Sequence, residues 1–594
     1  MSYRRKKLLA LFFAMALSMT AVAGCTGAKS STGNVVSSET ETNAEETSAQ
    51  SEAGTFSSAD MFTERDLAGT YEESGAVYVT LSDDGITGET DGVVIKGQTV
   101  TITAEGTYIF SGTLSEGQIV VDADNAKVQI VFDNVDITCA SSAAVYVKSA
   151  EKVFVTLAEG SQNTLRNTDE YVAIDDNNID AVIFAKSDLT LNGTGSLTII
   201  SAEGHGIVSK DDLKIIGGTY DITAAGHALS GKDSVRIADG TFILTAEKDG
   251  IHAENADDEE KGYIYIADGD FTITSDGDGM DASNIVQIED GTLDITAGGG
   301  AANSLKTHES DVPGGPGGGM PQNGEKLDGE SMPQMGEKPD GENMPQDTTT
   351  DESGTSTKGI KAGGGMYLNG GTYKIDSADD SIHSNANITI ADGTYTLATG
   401  DDGVHADDAL IVNGGTITVT ESYEGLEGLA VTINDGTIDI TASDDGINTA
   451  GEKMELNGGY IHILAGGDGV DSNGDLTING GEIYIDGPSD NGNSAIDYGD
   501  RSSAYVNGGT LVAIGSSGMA EVMSDSSKQK VLMVKLGEQM EAGNVVLTDS
   551  EGNVIVSYTA LKTYDCVIIS TAEVESGATY TLTTSGTTTE VTAE

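Results

Sequence analysis

Acidic residues recur at a fixed spacing through the middle of this chain, and carboxylates set at regular intervals are candidates for holding cations. Segments of the form Asp-Gly-aliphatic appear as Asp249-Gly250-Ile251, Asp278-Gly279-Met280, Asp402-Gly403-Val404, Asp445-Gly446-Ile447 and Asp468-Gly469-Val470. The position before this Gly, or its equivalent, reads His205, His227, Asp249, Asp278, Lys358, Asp380, Asp402, Glu424, Asp445 and Asp468. One place earlier stand Asp379, Asp401 and Asp444, and two places after the Gly stand Asp281, Glu427 and Asp471. Hard oxygen ligands on a Gly-bent turn suit calcium far better than zinc. Several calcium ions are therefore expected, with Asp249, Asp278, Asp281, Asp379, Asp380, Asp401, Asp402, Asp444, Asp445, Asp468 and Asp471 as ligands. An Asx-turn with its own backbone accounts for any one Asp. It does not account for doubled acids such as Asp401-Asp402 and Asp444-Asp445 on one edge.

Other chemistry is thinner. His252, His383 and His405 fall two places after the Gly and are read as surface residues. No Ser-His-Asp or Cys-His arrangement can be assembled, and no catalytic residue is assigned. The glycines recur after Asn or Asp instead of opening a helix, so they do not form a phosphate loop. Lys210 and Lys232 hold equivalent positions beside Asp211, Asp212 and Asp233, and these five are the candidate substrate-binding residues. Either Lys suits proton abstraction in a lyase; equally, both suit closing the acid column as counter-ions.

The element that sets this spacing is a repeat of about 22 residues. A turn such as Asn-Gly-Gly-Thr or Ala-Asp-Gly-Thr places its last Gly at 218, 240, 269, 291, 371, 393, 415, 436, 459, 481 and 509. Apolar residues follow two and four places on, as in Phe242 and Leu244 or Ile461 and Ile463. That period of two marks short strands with one buried face. A second alternating pair precedes each turn, and a third apolar position sits in the Asp-Gly segment. Three short strands per repeat predict an all-β chain folded as a right-handed parallel β-helix over residues 97–510. The Asn series 369, 413, 434, 457, 479 and 507 predicts a stacked amide ladder. Residues 303–357, with Met-Pro-Gln units at 320, 332 and 344, read as a disordered insertion looped out of one coil. Residues 59–96 are expected to form an N-terminal cap, and hairpin-like strands in 511–594 a C-terminal β cap.

The 594 residues carry 30 Lys and Arg against 96 Asp and Glu, a net charge of −66. So acidic a chain repels phosphate backbones, which excludes nucleic acid as a partner. Residues 1–24 have a basic start, an apolar run too short to span a bilayer, and small residues before Cys25. They read as a lipoprotein signal peptide with Cys25 as the lipidated residue, which predicts an exported protein held at the cell surface by a lipid anchor. Residues 25–58 read as a disordered tether. Cys139 and Cys566 suggest neither a disulfide nor a zinc site. A monomer is expected.

The segments Gly106–Leu114, Gly117–Val121, Val153–Leu165, Asp188–Leu197, His205–Leu213, Gly231–Val235 and Gly515–Met519 resemble a family of bacterial cell-surface carbohydrate-binding parallel β-helix proteins. The resemblance spans roughly residues 75–590 apart from the insertion. It implies a pectate-lyase-like fold, bound calcium, and binding of polygalacturonate or other plant cell-wall polysaccharide, such as cellulose, without cleavage. The residues agree: with no Trp and only 5% aromatic residues, platforms for neutral sugars are scarce. An anionic polysaccharide meeting so acidic a protein calls for calcium as a bridge. A calcium-dependent lyase and a structural adhesin or stalk are the alternatives.

Overall fold

The computed structural model describes residues 56–306, 356–499 and 501–593. The signal segment, Cys25, the tether up to residue 55 and the Met-Pro-Gln units lie outside the described residues.

Period-two patterning becomes three parallel ladders. In the first, Thr219–Ala224 pairs in register with Thr241–Ala246, then with Asp270–Ser275, Thr292–Ala297, Thr372–Ser377 and Thr394–Thr399. The second runs from Ser234–Ile237 through Tyr263–Ile266 and Val286–Ile288 to Met366–Leu368 and Ile388–Ile390. The third joins Leu229–Gly231, Ile251–Ala253, Met280–Ala282, Ile360–Ala362 and Ile382–Ser384. The chain is thus nearly all β, with one long run of parallel strands consistent with a β-helix. Thr292 pairs directly with Thr372, so the insertion leaves the stack undisturbed.

Inward residues stack as columns. Tyr220, Phe242 and Phe271 lie face to face with centroids 5.3 and 4.7 Å apart, and Tyr373 and Tyr395 repeat this at 4.5 Å. Ile417, Ile438, Ile461 and Ile483 continue the column, all buried. Such stacking follows from strand register: identical positions land one strand spacing apart. The turn between ladders needs a left-handed residue. Gly459 has φ +83, and a Cβ there would come within 2.6 Å of the Gly436 carbonyl, so both conformation and space demand Gly.

Both ends depart from the repeat. Tyr564–Ser570 pairs antiparallel with the last stacked strand, Thr510–Gly515, and with Leu532–Met540. Val554–Ala560, Gly543–Thr548, Thr579–Thr584 and Thr587–Thr592 form a separate four-stranded antiparallel sheet. At the other end Val77–Leu81 pairs with Gly106–Leu114, and Val93–Lys96 makes a hairpin with Thr99–Ile102.

The first described residues correct two sequence boundaries. Residues 56–58 belong to a packed strap and not to the tether, and residues 59–71 lie along the flank of the stack instead of over its end. Phe56 exchanges two hydrogen bonds with Gln287, at 2.6 and 3.0 Å, and its ring lies 4.3 Å from that of Tyr263. Two short helices, Ser58–Met61 and Glu64–Ala68, follow, the second opened by a Thr63/Asp66 capping box. Asp66 is fully buried, pairs with Lys152 at 2.6 Å and accepts from the Thr190 hydroxyl at 2.8 Å. Two helices this short carry too little periodicity to show in sequence. The insertion boundary shifts as well, since Lys306, placed inside it by sequence, returns to the stack.

Candidate functional site: a column of ionisable side chains

The edge formed by the Asp-Gly segments brings the sequence-selected acids together in one column, and the backbone explains how they are held. Each Asp before the Gly reaches the next coil's main chain. Asp249 accepts the Asp278 N–H at 3.0 Å, Asp278 that of Lys358 at 2.7 Å, and Asp380 that of Asp402 at 3.2 Å. Asp402 accepts from Glu424 at 3.2 Å, Asp445 from Asp468 at 2.6 Å, and Asp468 from Ser494. In every case Oδ1 serves this ladder, which leaves Oδ2 available for a cation.

Bases answer that second oxygen over most of the column. Asp249 Oδ2 lies 3.0 Å from His227 Nδ1 and 2.9 Å from His252 Nδ1. Lys361 reaches Asp278 at 3.5 Å and Asp281 at 3.3 Å. Lys358 holds Asp379 at 2.9 Å and Asp380 at 2.6 Å, while Lys306 holds Asp379 at 2.8 Å and also Asp401. His405 Nδ1 sits 3.1 Å from Asp402 and 3.3 Å from Glu427. Against the cost of burial, Asp402, Asp380 and Glu427 push its imidazole up to about 10, so it is a cation at neutral pH. These bases offset the acids only in part: burial and neighbouring carboxylates still push Asp401 up to about 9 and Glu427 to about 8, and Glu424 well up.

The remaining group has no base at all among the described residues. Asp445, Asp468 and Asp471 each bring one oxygen within 4.8 Å of the other two. Asp444 neighbours them, and Asp497 pairs with Asp471 one coil on. Among the described residues no Lys, Arg or His forms an ion pair with any of these five. Burial, reinforced by neighbouring carboxylates, pushes Asp445 up to about 8, Asp468 to about 7 and Asp471 to about 6. Gly467 closes the cradle: a Cβ there would stand 2.2 Å from Asp444 Oδ1 and 2.5 Å from Asp445 Oδ1, filling the space between them. An oxygen-only set with room at its centre fits a hard divalent cation. Beside it Asp471 and Asp497 line a cleft of about 480 Å³ that also contains Arg501.

The other candidates separate. Lys210 and Lys232 line one cleft with His205 and His227, whereas the three acids beside them turn to other partners. Asp212 is held by Arg236 through 3.0 and 2.9 Å contacts and by Lys214 at 3.1 Å. Asp233 binds Lys261 at 2.5 Å and Asn255 at 2.7 Å. Asp211, half-buried between like charges, is pushed up to about 6, by burial first and by Asp233 next. Sequence reasoning missed Asp497, which falls 26 residues after Asp471 because an extra loop breaks the interval. It also missed Lys306, Lys361 and Arg501; of these only Lys361 stands in register, within Lys358-Gly359-Ile360-Lys361.

A stack that repeats side chains in columns along one edge is a surface suited to a repeating ligand. The chain belongs to the family described as carbohydrate-binding domain-containing protein, which matches residues 96–403 and 401–552. A relative of that description from Acetivibrio thermocellus is 41% identical over 135 residues, 22% of this chain and 47% of the relative. This chain therefore spans about half the length of that curated relative. A solved structure, a gadolinium derivative of the polysaccharide lyase-like protein from C. thermocellum, is 36% identical, covering 38% of this chain and 92% of that one, with a TM-score of 0.37.

Proposed function

We propose that this protein binds an acidic polysaccharide, of the polygalacturonate type found in plant cell walls, through calcium held by its carboxylate column. The single observation carrying this reading is the unbalanced group of Asp445, Asp468 and Asp471, flanked by Asp444 and Asp497. A calcium ion there would share its remaining coordination positions with sugar carboxylates and so link two anionic partners. Arg501 in the adjoining cleft is placed to meet a further sugar carboxylate. We read the activity as binding and not cleavage, by a monomer anchored through Cys25 to the outer face of the membrane. A right-handed coil belongs to the same reading, since parallel crossovers take that hand.

The test is calorimetric titration with calcium, followed by retention on insoluble polygalacturonate with calcium or with a chelator. Calcium binding and calcium-dependent retention are expected, both abolished by Asp445→Asn with Asp468→Asn. Retention that survives chelation would remove calcium from the mechanism.

A further inference from the structure

Away from the acid group, coils around residues 205–254 form a cleft of about 250 Å³ whose polar lining is mostly basic. Lys210, Lys232 and Lys248 reach it, together with His205, His227 and His252, against one carboxylate, the largely exposed Glu254, which lies 3.4 Å from His252 Nε2. In a chain where acids outnumber bases threefold, 96 to 30, three ammonium groups on one cleft are a marked local exception. Lys232 pairs with Asp257 at 2.8 Å, but that carboxylate is largely exposed, and such a pair is weak and easily exchanged. Lys210 lies 3.9 Å from Asp180 and 5.3 Å from the Phe184 ring centre. Lys248 forms no ion pair among the described residues.

The histidines add donors. His205 Nδ1 accepts the His227 N–H at 2.9 Å, so its proton stands on Nε2. Burial and the neighbouring cations hold this imidazole down to about 3, so it is neutral at any working pH. The rings of His205 and His227 are stacked 4.9 Å apart, which fixes them as a flat wall. His227 Nδ1 lies 3.2 Å from the Asp249 N–H and 3.0 Å from Asp249 Oδ2, so Asp249 orients the second ring.

We infer that this cleft is a second, calcium-independent subsite that takes the carboxylate of a uronic acid residue, with Lys210, Lys232 and Lys248 facing the charge and the imidazole wall facing the ring. The inference rests on the acidic-polysaccharide reading, but it needs no metal. It makes the stack grip its polymer at two points, one through calcium and one through ammonium groups.

Proton NMR of the imidazole C–H resonances of the seven histidines tests this, on the protein titrated with sodium glucuronate in the presence of EDTA, with glucose and sodium sulfate as parallel titrants. A saturable shift with glucuronate and none with glucose is expected, weakened about tenfold by Lys248→Gln with Lys210→Gln. Both lysines are exposed enough for the variant to fold, which thermal unfolding checks. Asp445→Asn with Asp468→Asn should leave the shift unchanged, so failure of the calcium reading and failure of this one are distinguishable. Absence of a saturable shift, an equal response to glucose, a response to sulfate alone, or indifference to the Lys substitutions would each overturn it.

Discussion

Asp445 and Asp468 have two tasks: Oδ1 accepts a main-chain N–H of the next coil, and the carboxylate charge faces its like neighbours. Asn keeps the first task and removes the charge from the second. The double Asn substitution should therefore raise stability without calcium, and thermal unfolding in EDTA should show a higher midpoint than the native chain. The same groups set a pH dependence. Their native values of about 6 to 8 lie above the ordinary carboxyl value near 4. Between those limits the folded state binds more protons than the unfolded one, so stability in EDTA falls as pH rises from about 4 to 8. Calcium displaces those protons, so its stabilising effect should be greater at pH 8 than at pH 5, as melting curves at the two values would show. A thermal midpoint in EDTA that rose over this range would contradict the assignment. Gly467→Ala, which drives a methyl group against Asp444 Oδ1 and Asp445 Oδ1, should weaken the calcium response by displacing those two carboxylates, as calorimetric titration would show.

Two elements govern how firmly the edge is held. The expected amide ladder forms: Asn434 donates to Asn413 at 2.8 Å, Asn457 to Asn434 at 2.9 Å, Asn479 to Asn457 at 2.8 Å and Asn507 to Asn479 at 2.9 Å. Asn369 stands apart: Ala391 separates it from Asn413, and it donates at 3.1 Å to Glu289, which holds the equivalent position of the preceding coil. Asn457→Ala removes two exposed bonds and should cost about 1 kcal/mol in chemical denaturation. The strap is a stronger case. Removing the Asp66 carboxylate leaves Lys152 buried without its partner, and Asp66→Ala should cost about 3 to 5 kcal/mol. If that loss were under 1 kcal/mol, the strap would not be integral to the stack.

At the scale of the whole chain, the charge of −66 is partly organised. Along the column, Lys306, Lys358, Lys361, His252 and His405 are sited against carboxylates, whereas Asp444, Asp445, Asp468, Asp471 and Asp497 form a stretch of acids that no base among the described residues pairs with. Calcium at about a hundred times its dissociation constant should then stabilise the folded chain by about 2.7 kcal/mol per site, read as a rise in melting temperature over the chelated protein. From Gly218 to Gly509 the strand positions could be read in the sequence, because each coil repeats the same alternation and its Gly turn. The acid column could be read for the same reason, since repetition in sequence becomes stacking in space. Which acids lack a base could not be read. Lys306 reaches Asp379 and Asp401 from a segment whose composition resembles a linker, and Asp497 lies off the interval.

The sequence by itself determined the stacked strands, the turn glycines, the amide ladder and the edge on which the carboxylates gather, because all of these follow from local periodicity. Only the tertiary structure decided the flanking strap, the pairing of bases with acids and the separation of the Lys210 and Lys232 cleft from its neighbouring carboxylates. These depend on contacts between residues far apart in the chain, such as Phe56 with Gln287 and Lys306 with Asp401, and no repeat encodes them.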